Sequence, residues 1–486
     1  MHLVNNRLLR TLLLLVGLFA GPLWAQSFYL KTVPLTHPAN GDLLHLDKQL
    51  AVSGHSSETR WLSLIDLEEF TATAITVPDN AQLFGKLLRA GQETEELIFL
   101  TTQGIGVYQP ATDTVNALVE VPSIYRAVDA KRLWQMDMVV DVSGASVSDL
   151  LIPDFSAYHL LIQTESGDFD HYRLPIENLV QLWGKEPRFM PRKPYLVDFN
   201  LDGKTDIVFV RDGQLRVFLQ QSDGAFTETY QTVSLGITIA SDVEAIVRSG
   251  EGRDFSGLVI QRVHDITDLD NDGLADLIIR REQYVSALEQ HENYRIHYGR
   301  RSDQGLVFAP EPDAHINTRG IQFESVFVDL NGDQRKDFYT PSATFGVGTI
   351  IRALLSGTTS LDMQFYLMKD DRSFSDKPDL NHKATANVSI GRAAIDLPLL
   401  QVAYLHNSDQ KDLLVGEGQE QLQIIRTQEN RLFAGESRRF KTSLPRNGAQ
   451  VKVMDINRDG KDDLVLPFDS QEPEDRRNQV RFLIMQ

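Results

Sequence analysis

Three features of the sequence predict an all-β fold, a single β-propeller of eight blades. A nine-residue acidic phrase, followed at once by a short apolar and β-branched run, occurs four times. Weaker copies of the same boundary occur four times more. Consecutive boundaries lie 47 to 75 residues apart, the size of a four-stranded blade with loops of varied length. The alternative is seven blades, with the first unit, around Gln49, forming an irregular N-terminal cap.

The fullest copy of the phrase is Asp268-Leu-Asp270-Asn-Asp272-Gly273-Leu274-Ala-Asp276, ahead of Leu277-Ile278-Ile279. Carboxylates at positions one, three, five and nine can converge on one hard cation if the backbone curls tightly. Gly273 at position six, lacking a Cβ, permits that curl. The carbonyl of Leu274, at position seven, is the natural backbone ligand. Oxygen donors in this number suit Ca²⁺ rather than zinc. The opening matches the first half of an EF-hand loop, but that loop needs a bidentate Glu at position twelve and a helix on each side. Position twelve is Ile279, inside a predicted strand.

Three further copies follow the same plan. Asp198, Asn200, Asp202 and Asp206 occupy the ligand positions ahead of residues 207–210, with Gly203 at position six and Lys204 at position seven. Asp455, Asn457, Asp459 and Asp463 do so ahead of residues 464–466, with Gly460 and Lys461. Asp329, Asn331, Asp333 and Asp337 keep all four ligand positions with Arg335 at position seven, but Gln334 stands where the turn glycine is expected. Position twelve is Phe209, Leu466 and Thr340 in these copies, so none is an EF-hand.

Position nine also marks a strand start in the weaker copies, at Gln49, Glu96, Asp149 and Asp412. The stretch Asp141-Val-Ser143-Gly-Ala145 before Asp149 reads as a loop that has lost its third ligand. Each unit then supplies further strands: residues 213–218, 421–425 and 479–483 alternate as half-buried strands do. Residues 226–230 and 439–442 read as fourth strands. The last unit contains only three, at 451–455, 464–467 and 479–485. Residues 28–33 are predicted to supply its fourth, antiparallel to the strand around 480–484, which closes the ring.

With these loops in place, the chain resembles the FG-GAP/VCBS repeat family of β-propellers, the type seen in integrin α-subunits and many secreted bacterial proteins. The resemblance rests on the four acidic loops and extends, through the weaker copies, over nearly everything after residue 27. It implies three to four Ca²⁺ ions, each held between the first and second strands of a blade by the residues named above. The family shares no single activity, so no function comes with the resemblance.

The N-terminus carries Arg7 and Arg10, an apolar run over residues 12–20, and Gly21-Pro22-Leu-Trp-Ala25. This predicts a signal peptide over residues 1–25, cleaved after Ala25, with residues 26–486 as the propeller domain. The run is shorter than the ~20 residues a membrane span needs, and no later segment is long and apolar enough. The expected destination is secreted or periplasmic, with no membrane span after cleavage. The chain has no cysteine, so neither disulfides nor thiol chemistry is available, and calcium is the obvious staple. Without the leader, 46 basic side chains face 67 acidic ones, a balance of −21. Nucleic acid and anionic membrane are excluded as partners for such a surface.

Catalytic signatures are missing from the sequence. There is no Gly-x-Ser-x-Gly elbow, no phosphate-cradling glycine loop and no histidine pair at zinc spacing. His291 and His297 flank a strand start and read as surface residues. If the acidic loops join first and second strands, they share one rim. The opposite rim then carries the insertions: residues 283–288 interrupting the second-to-third connection of the fifth unit, residues 349–355 at helical spacing in the sixth, and long inter-unit connections at 248–253 and 185–193. The last is a basic, proline-rich patch. The sequence therefore predicts a non-catalytic module that binds a protein or glycan through this rim. A calcium-dependent polysaccharide lyase or hydrolase, and a structural subunit of an envelope assembly, are the alternatives. Arg188, Arg192, Arg248 or Arg352 gathered with an aromatic in one pocket would favour the enzyme.

Overall fold

A computed structural model describes residues 28–485, with 128–130, 146, 184–185, 248–255, 287–288, 345–352, 354, 390–393, 407–408, 429–430 and 470–471 excepted. The predicted leader lies outside the described residues. Among these residues eight sheets, antiparallel but for one added strand in the second, form a ring, an eight-bladed β-propeller with two small hairpins beside it. In chain order the blades span 43–75, 81–120, 139–174, 195–233, 259–317, 321–396 and 400–441, and the eighth joins 452–485 to 28–34. The Gln49 unit is a complete blade, with strands Leu43–Leu46, Gln49–His55, Arg60–Asp66 and Thr71–Ile75.

All eight boundary residues, from Gln49 to Asp463, begin the second strand of their blade. These strands read as unbroken apolar runs because both faces of a blade pack against neighbours. Leu277, Ile278 and Ile279 are all fully buried. Fourth strands alternate instead, as in Ser437–Lys441, where every other residue is exposed. The core is consequently a series of layers, each shared by two successive blades. The last of them joins Val465, Val480 and Phe482 of blade 8 to Leu43, Leu50 and Ile65 of blade 1.

The ring closes as the strand count requires. Phe28–Pro34 pairs antiparallel with Gln479–Met485, from Phe28 opposite Met485 to Pro34 opposite Gln479. Leu35 extends the ladder by donating its N–H to the Asn478 carbonyl at 2.7 Å. Phe28 meets Phe440 of blade 7 edge-on at 5.3 Å, so the strand is also packed from the side.

Several local expectations are corrected. The fourth strand of blade 4 is Gln231–Val233, not residues 226–230. Phe226 is buried in the layer between blades 3 and 4, and its only pairing is a single bridge to Gln220, so packing rather than a ladder holds it. Residues 283–286 do not interrupt blade 5. They continue Asp276–Ser286 through an irregular register against Glu289–His297, making a long two-stranded ribbon. The basic connection before blade 4 is a hairpin of Leu179–Trp183 with Glu186–Met190. His297 is buried, with Nδ1 2.8 Å from the Ala309 carbonyl, whereas His291 is half-exposed. Of the stretch 349–355, only 353 and 355 are described, and both are helical. Residues 248–253 lie outside the described residues.

Candidate functional site

The four acidic loops lie between the first and second strands of blades 4, 5, 6 and 8 and share one backbone path. Each has a left-handed residue at positions four and six: Leu201 and Gly203, Asn271 and Gly273, Gly332 and Gln334, Arg458 and Gly460. Gln334 therefore takes the same turn at φ +69° that glycine takes elsewhere, at the steric cost a Cβ carries in that region. The position-six N–H donates to the position-one carboxylate in every loop, onto Asp198, Asp268, Asp329 and Asp455 at 2.8–2.9 Å. The position-seven N–H of Lys204, Leu274, Arg335 and Lys461 donates to Asp202, Asp272, Asp333 and Asp459 at 2.9–3.0 Å. The side-chain oxygens of Asn200, Asp270, Asn331 and Asn457 each accept the N–H of position five.

Position nine does something further. Asp206, Asp276, Asp337 and Asp463 are fully buried. In each, Oδ2 accepts the N–H of position two, from Phe199, Leu269, Leu330 and Ile456. Oδ1 accepts the N–H just past, or at the end of, the third strand, from Gln220, Gly299, Met368 and Met485. One carboxylate thus clamps the loop to the hairpin beyond it. Burial pushes these carboxyls up against that hydrogen bonding, to about 7 for Asp276 and Asp337 and about 6 for Asp206 and Asp463.

In blade 5, carboxylate oxygens of Asp268, Asp270 and Asp276 all lie within 4.8 Å of one another. Asp270 also accepts from Arg372 at 2.7 Å, a residue in the connection between strands 358–366 and 380–389 of blade 6, whose guanidinium lies 4.7 Å from the Tyr298 ring centroid. Neighbouring loops are tied together as well. Lys336 N–H donates to the Leu269 carbonyl at 2.7 Å, Lys411 to Leu330 at 3.1 Å, Asp462 to Tyr404 at 2.6 Å and Ser148 to Leu88 at 3.0 Å. Each bond runs from the residue before a boundary to the preceding blade's loop, so this rim is laced blade to blade.

Residues 198–246, which begin at the first intact loop, match the family described as FG-GAP-like repeat. Set on a ring of eight blades, that match supports an FG-GAP-repeat propeller family. The chain carries an FG-GAP-like repeat on a β-propeller. No curated protein matches it in sequence. Among solved structures it is similar to a lectin of Agrocybe aegerita that recognises non-reducing terminal N-acetylglucosamine, at 14% identity over 84% of this chain and 94% of that one, TM-score 0.41. It is also similar to the Dos1 propeller, at 9% identity over 93% and 94%, TM-score 0.42. The V. cholerae biofilm matrix protein Bap1 follows at 11% over 91% and 77%, TM-score 0.27. Likenesses this distant carry no argument about ligand or activity.

On the opposite rim, Arg192 and Lys193 reach one cavity with Trp134 and Tyr125, whereas Arg188 does not line it. Arg192 is buried and forks onto Asp242, donating also to the carbonyls of Glu177 and Val210. It holds the start of blade 4 in place. Arg188 is exposed on the hairpin, and Arg248 and Arg352 lie outside the described residues. What the structure does bring together is a cavity of about 520 Å³ against blades 2, 3 and 4, within the usual range for small-ligand sites. Trp134, Gln135, Asp137, Tyr125 and Lys193 line it, with Tyr158 at its floor side. The sequence reading passed over Trp134. Its signal was an indole in a long connection between blades 2 and 3 that no strand of the repeat required.

Proposed function

We propose that this protein is a calcium-braced, non-catalytic binding module, exported from the cytoplasm, that holds a protein or glycan on the rim opposite its acidic loops. The observation that carries the reading is the difference between the rims. One is filled by repeat-derived loops bonded to each other around the ring. The other bears the segments the repeat does not need, including the 179–190 hairpin and the cavity beside Trp134. Function concentrates in such added loops on a rigid frame.

The residues of the acidic loops fit Ca²⁺. Their donors are all oxygen, a hard set suited to that ion, and in blade 5 three carboxylates already face one point. Asp268, Asp270, Asp272 and Asp276 with the Leu274 carbonyl would hold the ion there, and the equivalent residues in blades 4, 6 and 8 would do the same. Bound charge would offset the mutual repulsion of the clustered carboxylates.

The test is a screen of glycans and envelope proteins against the mature chain, with calcium and with chelator, alongside its melting temperature. The expected result is a melting temperature that rises with calcium and a ligand retained only by the calcium-loaded protein. A melting temperature indifferent to calcium would remove the brace, and a screen empty in both conditions would remove the binding module.

A further inference from the structure

The cavity beside Trp134 is built by a strand that lies outside the repeat. Trp134–Gln135 pairs parallel with the first strand of blade 2, Trp134 opposite Leu83 and Gln135 opposite Phe84. This gives that blade a fifth strand on the edge away from its exposed fourth. The added strand is pinned at its end: Gln135 N–H donates to Asp42 Oδ2 at 2.8 Å, and the N–H of Met136, the next residue, to the Phe84 carbonyl. Met136 and Met138 are buried between blades 2 and 3. The backbone is therefore fixed, while the indole of Trp134 remains 50% exposed. A large aromatic left open on an anchored strand at the mouth of a cavity is a surface arranged for contact.

The chemistry of the lining narrows what the contact is. Among the described residues, neither the Trp134 indole N–H, the Gln135 amide side chain nor the Asp137 carboxylate has a hydrogen-bonding partner. The cavity thus offers donors and acceptors beside an aromatic face. Charge excludes the ionic classes. Lys193 is paired with Asp265 at 3.1 Å and Arg192 with Asp242, so the unpaired charge on the wall is the carboxylate of Asp137, which opposes an anion. A cation is opposed from the other side, since the Arg132 guanidinium already lies 5.3 Å from the Trp134 ring centroid. What remains is a neutral molecule with one apolar face and many hydroxyls.

We infer that this cavity binds a neutral saccharide, its C–H face against Trp134 and its hydroxyls on Asp137 and Gln135. The inference rests on the reading of the protein as a binding module and names the ligand class and the place. Asp137 accepts from two neighbouring hydroxyls, and the Gln135 amide donates and accepts on the same edge.

The full mature chain in calcium is titrated with neutral hexo-oligosaccharides, with oligouronides and with a lysine-rich peptide, following tryptophan fluorescence and heat. Saturable binding of a neutral oligosaccharide is expected, with oligouronides and the peptide weaker. Trp134→Ala weakens it by about tenfold or more, as loss of an aromatic anchor does, and Asp137→Asn by several-fold. Both side chains are exposed, so the melting temperature of each variant stays at the parental value. The inference is overturned if no neutral saccharide binds, if the charged probes bind better, or if Trp134→Ala leaves saccharide binding intact. A protein ligand from the wider screen that is indifferent to Trp134→Ala would keep the binding module and remove the saccharide cavity. An empty result in both experiments would remove both.

Discussion

The loops that open blades 3 and 4 make an instructive pair, because one has lost its ligand set and the other has kept it. In blade 4, Asp206 accepts N–H groups from Phe199, Asn200 and Gln220 at 3.0, 3.3 and 2.8 Å. In blade 3, Asp149 accepts from Val142, Ser143 and Gln163 at 3.1, 2.9 and 3.0 Å, from the same three offsets along the chain. Yet Ser143 and Ala145 stand in blade 3 where Asn200 and Asp202 stand in blade 4. The position-nine carboxylate is thus separable from the ligands around it. It organises the hairpin whether or not the loop can hold an ion. Blade 7 keeps the same device in altered form, with Asp412 accepting from Thr427 at 3.0 Å and meeting His406 Nδ1 on its other oxygen.

The largest expected effect tests that separation directly. Asp149→Ala and Asp206→Ala each orphan two buried N–H groups and one partly buried one, at about 1–3 kcal/mol for each buried group before relaxation. Each substitution should lower stability by roughly 3–5 kcal/mol in urea melts. The loss at Asp149 should be the same with calcium or chelator, and that at Asp206 larger in calcium. An Asp149→Ala variant that loses less than about 1 kcal/mol would break the comparison.

A smaller effect sharpens it from the ligand side. Asp270→Ala in the four-carboxylate loop should cost about 2–3 kcal/mol when calcium stands near a hundredfold above its dissociation constant. The cost should shrink in chelator, where the contact with Arg372 and the hydrogen bond from Asp272 N–H are lost but no ion is. Asp141→Ala in the blade 3 loop, which removes one hydrogen bond to Gly144, should show no calcium dependence. Equal behaviour of the two variants across calcium concentrations would show that the loops do not differ in the way their residues imply.

The smallest effect is a pH slope. In the unfolded chain these aspartates titrate near the usual 3.8, but folded and metal-free they are raised to about 6 or 7. The folded state then binds more protons between those values, so stability is greatest at the acid end and declines as pH rises from about 4 to about 7. Calcium, which requires the ionised form, should flatten or reverse that slope. Melting temperatures in chelator that climb across this window would contradict the burial that raises these groups.

The frame was legible because repetition multiplies weak signals. No single run such as residues 412–415 identifies a blade, but eight starts at blade-sized intervals do, and the unpaired third strand at the C-terminus pointed to residues 28–33. The loop ligand positions were equally readable, whereas Gln334, standing where a turn glycine was expected, gave no sign that it takes the same left-handed turn. Legibility failed where tertiary contacts overrode local pattern. Phe226 sits in an alternating stretch yet serves an inter-blade layer, and residues 283–286 look like an insertion but extend a ladder. His297 gave no local sign of burial, and Arg192 read as a binding cation because its partner, Asp242, lies 50 residues away. The cavity was least visible, because Trp134 reaches it through a parallel pairing with Leu83 that sequence periodicity does not encode.

The seam between residues 28–34 and 479–485 sets an order of events in the life of the chain. At ordinary rates of synthesis, the first strand waits roughly 20–90 s before its partner exists. Closing so long an intervening chain is also the kind of non-local pairing that folds slowly. During that interval Phe28–Pro34 is an open edge, and Lys31 and Thr32 are the polar side chains on it that oppose pairing elsewhere. Blades 1 to 7 can form in turn as they emerge, but the circle is completed only when both ends are present. Loss of either strand opens the same blade, so the ring is held shut by two segments from opposite ends of the repeat array.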